Sequence, residues 1–243
     1  MNHRFDGPED APPIVLSGSL GSTLAMWGPQ VPALAESHRV LRYDHPGHGG
    51  SPVGEARTIE DLAAEVLELL DRLGLDRVSW CGVSLGGMVG MRLALDAPQR
   101  LDRLVLCCTS PHMPPREMWD ERAAAVRKEG MGAIADATVE RWFTPVFPDV
   151  RRYREMLQSI DPEGYARCCE AIREWDARGE LPRIEAPTLV LAGADDPSTP
   201  PSDHAEPIAR GIPDARLGVV PNARHFANVE RADAVNAAIV AHL

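Results

Sequence analysis

The chain has 243 residues, 44% of them hydrophobic, and a formal net charge of -11. That is enough apolar content for one large domain with a substantial core. The acidic surplus excludes a surface built for nucleic-acid phosphates, which needs Lys and Arg to displace counterions, and no apolar run approaches the length that spans a membrane.

The opening MNHRFDGPEDAPP carries no apolar leader, which together with the cysteine usage points to a cytoplasmic protein. A first strand is expected at 13–18 (PIVLSG) and a second at 38–44 (HRVLRYD). An amphipathic helix follows from Thr58. Ile59, Leu62, Ala63, Val66, Leu67, Leu70 and Leu73 recur at helical spacing, Thr58 and Asp61 form a capping box, and Gly74 closes it. A third strand, 77–82 (RVSWCG), leads into a helix carrying Gly86, Gly87 and Gly90, and a fourth is expected at 101–110 (LDRLVLCCTS). Several of these runs are almost continuously apolar, as parallel strands covered on both faces are. From 111 to 185 the pattern changes to helical stretches rich in Arg and Glu, with Trp119, Trp142 and Trp175 and no convincing strand. Strands resume at 187–193 (PTLVLAG) and 215–220 (ARLGVV), and a last helix runs from about Ala232. The alternation predicts an α/β fold with a mostly parallel, doubly wound sheet. Its core would be 1–110 and 186–243, with a helical cap inserted at 111–185.

The five cysteines, Cys81, Cys107, Cys108, Cys168 and Cys169, include two adjacent pairs. That spacing suits neither a disulfide framework nor a zinc site. No metal ion or other cofactor is called for.

Chemistry concentrates at strand ends. Gly82-Val83-Ser84-Leu85-Gly86 matches G-x-S-x-G between a strand and a helix. There the serine hydroxyl stands above the sheet edge and the Leu85 N–H, at the helix N-terminus, faces developing negative charge. A serine needs a base, and the base an orienting acid. His225 lies in the loop after the last strand. His112 and His204 follow no strand as cleanly, and His45 and His48 sit in a glycine-rich loop (YDHPGHGGS) that reads as turn structure. The acid is Asp195 or Asp196 in LAGADDPSTPP, giving the order Ser, Asp, His. SGSLGS after the first strand supplies further backbone donors. It lacks both G-x-G-x-x-G and the Lys-Ser/Thr ending of a phosphate loop.

Together these residues resemble the α/β-hydrolase superfamily and, within it, the 3-oxoadipate enol-lactonases of protocatechuate and catechol breakdown. LSGSLGSTLAMWGPQ, RYDHPGHGGS, GVSLGGMVG, RWFTPVF, DPEGYARCCEAIREWD and PTLVLAGADDPSTPP carry the likeness. The resemblance implies Ser84 as nucleophile, Asp196 as acid, His225 as base, and the N–H groups of Leu20 and Leu85 as oxyanion donors. This chain departs from the family pattern at its N-terminus, where the sequence reads as short by one strand. The substrate would be a small lactone or ester bearing a carboxylate, so a positive group is expected in the cap. Arg141 and Arg173 are the candidates, and Trp142 forms the pocket wall or packs the cap onto the sheet. The alternatives on the same triad are another carboxylesterase and a cofactor-free C–C hydrolase.

Overall fold

The computed structural model describes all 243 residues. Seven strands form one sheet: β1 (His3–Asp6), β2 (Pro13–Ser17), β3 (Arg39–Tyr43), β4 (Val78–Val83), β5 (Leu101–Cys107), β6 (Thr188–Gly193) and β7 (Ala215–Val220). Their spatial order is β1-β3-β2-β4-β5-β6-β7. Only β1 runs antiparallel, pairing with β3, and the other pairs are parallel. The central strand β4 is buried at every position. The edge strand β7 leaves Arg216, Leu217 and Val219 exposed to solvent.

β1 is an element the sequence reading lacked. Its residues, HRFD, hold one large hydrophobe and pair along a single edge, so they carry no apolar run. Arg42 of β3 returns two bonds to Asp6, at 2.9 and 2.5 Å, and fixes β1 in place.

The helices are α1 (Val31–Leu34), α2 (Ile59–Arg72), α3 (Leu85–Asp96), α4 (Arg116–Glu129), α5 (Gly132–Trp142), α6 (Val150–Gln158), α7 (Pro162–Glu174), α8 (Ala205–Gly211), α9 (Ala227–Glu230) and α10 (Ala232–His242). At the start of α2 the capping box is complete: Thr58 Oγ1 accepts from Asp61 N–H at 3.0 Å, and the Asp61 carboxylate accepts from Thr58 N–H at 3.1 Å. Gly74 ends the helix with φ of 67°. All five cysteines are free and buried. No helix is long and apolar enough to cross a membrane.

Helices α4 to α7 all fall between β5 and β6. The two ends of this insertion close on each other through a His112–Asp176 bridge and an Ala177 N–H to Pro111 O bond of 2.8 Å. The neck is thus tied at Ala177, and the 3-10 turn Leu181–Arg183 packs beside α8, with the sheet layer.

Candidate active site

The candidate side chains follow the C-terminal ends of three parallel strands, β4, β6 and β7. Ser84 follows β4 and caps α3 with φ of 54° and ψ of -112°. A non-glycine residue in that region costs about 1–3 kcal/mol and persists only where its surroundings enforce it. Here they do. Ser84 N–H donates to Cys107 O at 3.0 Å, and Thr109 Oγ1 donates to Ser84 O at 2.7 Å. The flanking glycines are required by contact: a Cβ on Gly82 would lie 2.1 Å from Gly86 O, and one on Gly86 would lie 2.1 Å from Ser17 O.

Asp196 follows β6 and is 3% exposed. Its Oδ1 accepts from Ser198 N–H at 2.8 Å and Thr199 N–H at 3.2 Å, and its Oδ2 accepts from Thr199 Oγ1 at 2.6 Å. That same Oδ2 lies 2.8 Å from Nδ1 of His225, which follows β7. The neighbouring Asp195 is exposed, so burial and the hydrogen bond separate the two acids. Burial alone would raise the Asp196 pKa, but the imidazole and the donors around the carboxylate hold it below its ordinary value. For His225, burial disfavours the charged ring, yet the Asp196 charge and hydrogen bond prevail and its pKa is raised.

Ser84 and His225 line one cavity of about 330 Å³, with Leu20 on its wall. Ser84 Oγ makes no hydrogen bond to His225, and the bond between a nucleophile and its base often tightens only around substrate. The Leu20 and Leu85 N–H groups also have no hydrogen-bond partner, leaving two backbone donors free beside the serine. Gly86 N–H donates to Gly18 O at 3.0 Å, which ties the Leu20 loop to the helix that carries Leu85.

The opposite wall belongs to the cap. Trp142, at the end of α5, both lines the cavity and stacks on Phe226 at 4.2 Å, so its two expected roles coincide. Phe226 N–H donates to Trp142 O at 3.0 Å. Arg141 also lines the cavity. Its only hydrogen bond goes to Thr138 Oγ1 at 3.2 Å, and burial together with the charge of Arg122 lowers its pKa. Arg173 does not reach the cavity. It lies on the outer side of α7, where Asp120 at 2.5 Å and Glu174 at 2.9 Å take up its guanidinium. The expectation that it meets substrate is corrected on that ground.

Two residues of the site, Arg122 and Glu230, escaped the sequence reading. Arg122 of α4 lines the cavity beside Arg141, donating to Tyr165 Oη and Thr138 Oγ1, each at 2.7 Å, with no carboxylate partner. Glu230 accepts from Thr144 N–H at 3.0 Å and Arg224 N–H at 2.9 Å, clamping the end of the cap to the His225 loop. His204, which the sequence reading weighed as a base and set behind His225, lines the cavity as well. Ser110 Oγ donates to His112 O at 2.6 Å, so His204 Nδ1, also 2.6 Å away, must donate to Ser110. In the neutral ring this leaves Nε2 as a bare acceptor.

A parallel sheet with a strained serine elbow, and a buried acid–histidine pair at the same rim, define an α/β hydrolase. The family model for the alpha/beta hydrolase fold matches residues 12–232, and the chain belongs to that family. The protein is a hydrolase. Among curated relatives, 3-oxoadipate enol-lactonase 2 of Acinetobacter baylyi is 38% identical, over 99% of this chain and 92% of the relative. A protein assigned as the carbamate hydrolase RutD, from Stutzerimonas stutzeri, is 34% identical over 100% of this chain and 96% of its own length. Among solved structures, the enol-lactonase from Burkholderia xenovorans LB400 superposes with a TM-score of 0.96 at 41% identity, covering 99% of this chain and 95% of that one.

Proposed function

We propose that the protein hydrolyses 3-oxoadipate enol-lactone to 3-oxoadipate in protocatechuate or catechol degradation. Ser84 acts as nucleophile, His225 as base and Asp196 as its partner. His225 takes the Ser84 proton as Oγ attacks the lactone carbonyl. The Leu20 and Leu85 N–H groups meet the oxyanion, each such donor being worth about 3–4 kcal/mol. The carbon–oxygen ring bond breaks and the imidazolium protonates the departing enol oxygen. Water, deprotonated by His225, then cleaves the acyl-enzyme, and the enol relaxes to the ketone. Asp196 holds the imidazole tautomer and stabilises its charged form.

The observation that carries the substrate class is the Arg122–Arg141 pair. Two guanidiniums share one threonine oxygen at the wall of the serine's cavity, and neither has a carboxylate, in a chain with a net charge of -11. Outside the cavity, cap arginines such as Arg127, Arg154 and Arg173 have found acids. A carboxylate arm on the substrate supplies the missing counter-charge, in the planar geometry that guanidinium groups favour. The enol-lactonase relatives point to the same substrate. A carbamate is the second reading, favoured by the RutD relative.

The test is a comparison of kcat/KM for purified protein on the enol-lactone, p-nitrophenyl acetate, a carbamate ester and a ring-fission diketone. The lactone should be preferred by at least about 100-fold, the scale of one or two charge-assisted hydrogen bonds. Equal turnover of the simple ester, or preference for the carbamate or diketone, overturns the assignment.

A further inference from the structure

The Leu20 donor sits on a loop, between β2 and a 3-10 turn at Leu24–Trp27, and no sheet or helix ladder fixes its direction. Two buried histidines, His45 and His48, do. Both come from the glycine-rich loop after β3, and neither lines the cavity. His45 Nε2 lies 3.0 Å from Gly18 O. A carbonyl oxygen only accepts, so this nitrogen carries hydrogen and donates. His48 has the opposite arrangement. Its Nδ1 lies 3.0 Å from Pro46 O and so carries the hydrogen, while its Nε2 accepts from Gly21 N–H at 3.1 Å.

The two rings therefore hold peptide groups on either side of Leu20: the carbonyl of Gly18 before it and the amide of Gly21 after it. Gly18 O is also the acceptor for Gly86 N–H, so the same grip is referenced to the helix behind the nucleophile. The surroundings favour neutral rings in both places. Burial lowers both pKa values, that of His45 to about 3, with His48 adding to the effect on His45. Tyr43 and Ser17 pack against His45, while Asp44 and Asp161 are the acids facing His48.

We propose that His45 and His48 are positioning residues for the oxyanion hole, a donor and an acceptor that aim the Leu20 N–H from its two flanking peptides. This rests on the serine-hydrolase reading above, but not on the identity of the lactone. Neither histidine touches substrate; both act through the loop.

The experiment compares His48→Ala, His48→Asn and His48→Gln with the unaltered enzyme on p-nitrophenyl acetate and on its best substrate. Gln can place an acceptor oxygen where Nε2 stood, and Asn is too short to reach. Inhibition by phenylboronic acid, whose tetrahedral serine adduct needs the same hole, is measured beside kcat, KM and Tm. His48→Ala and His48→Asn should lower kcat by about 10- to 100-fold, with KM within about threefold, on the scale of weakening one oxyanion donor. Boronic-acid affinity should fall by a similar factor, and His48→Gln should recover most of both losses. If His48→Ala does not fold, the Gln–Asn pair carries the comparison. Unchanged kcat, or equal defects in Gln and Asn, overturns the proposal. Ser84→Ala is run in parallel. Full activity there refutes the serine mechanism itself, whereas a dead Ser84→Ala beside an unaffected His48→Ala refutes only the positioning role.

Discussion

The two walls of the cavity are built by different means. On the sheet side, each member of the proposed triad sits within a few residues of a strand end. Ser84 is held by backbone bonds at a strained turn, and Asp196 by two amides and a hydroxyl. On the cap side, Arg122 and Arg141 project from helices and are steered only by other side chains, chiefly Thr138 and Tyr165. A backbone-held group tolerates little displacement without losing its chemistry, whereas side-chain recognition can be exchanged without moving the sheet. The sheet wall should therefore govern kcat and the cap wall KM.

The largest break in that contrast would come at the nucleophile. Ser84→Ala should reduce kcat by roughly 10⁶ if the triad acts as a unit, in single-turnover or steady-state assay, while Tm holds or rises because the substituted turn loses no packing. Next in size is Asp196→Asn, expected to cost about 10⁴ in kcat. This substitution also carries a pH signature. Burial opposes a charged His225, but Asp196 raises its pKa above the ordinary 6.5, and the ring must be neutral to act as base. Activity of the intact enzyme should thus climb with pH through a midpoint above that value. Removing the Asp196 charge should move the midpoint down, and a pH profile of kcat/KM with no downward shift would break the assigned coupling.

On the cap wall, Arg122→Ala and Arg141→Ala should each raise KM for the lactone by about 10- to 100-fold, the value of a charge-assisted bond, with kcat little altered. Hydrolysis of p-nitrophenyl acetate should be unaffected, and equal defects on both substrates would mean the arginines hold the cap rather than the substrate. The smallest effect is expected at Arg173→Ala. Its ion pairs are on the outer face, where such pairs contribute about 0–1 kcal/mol, so KM should stay within about twofold.

The same contrast explains what could be read from the linear chain. Ser84, Asp196 and His225 are marked by local context, since each follows an apolar run and sits among turn-forming residues. Five of the six expected strands differ from those observed only at their ends, and β7 coincides at 215–220. β1 was invisible because an edge strand with one hydrophobe leaves no pattern. Arg122 was invisible for another reason: an arginine on an amphipathic helix looks the same whether it faces solvent or a cavity. Its position depends on how α4, α5 and α7 pack, which brings residues 122, 138, 141 and 165 together only after folding. Arg173 was misassigned through that ambiguity. His45 and His48 were read as turn structure, but only the His48 Nδ1–Pro46 O bond is local; their bonds to Gly18 O and Gly21 N–H cross to the loop of Leu20, a partner no local pattern reveals.

The seating of the cap limits how a substrate gets in. Gly47 and Gly164 touch so closely that a Cβ on either would come within 2.4 Å of the other's Cα, and Asp161 N–H donates to Gly47 O at 3.1 Å alongside. At the far end, Trp142 is stacked and hydrogen-bonded to Phe226. Swinging the four helices aside would tear out both fastenings and disturb the residue next to His225. Three residues that line the cavity, Pro114, Met118 and Pro197, are exposed to solvent. A substrate that enters beside these residues leaves both fastenings in place.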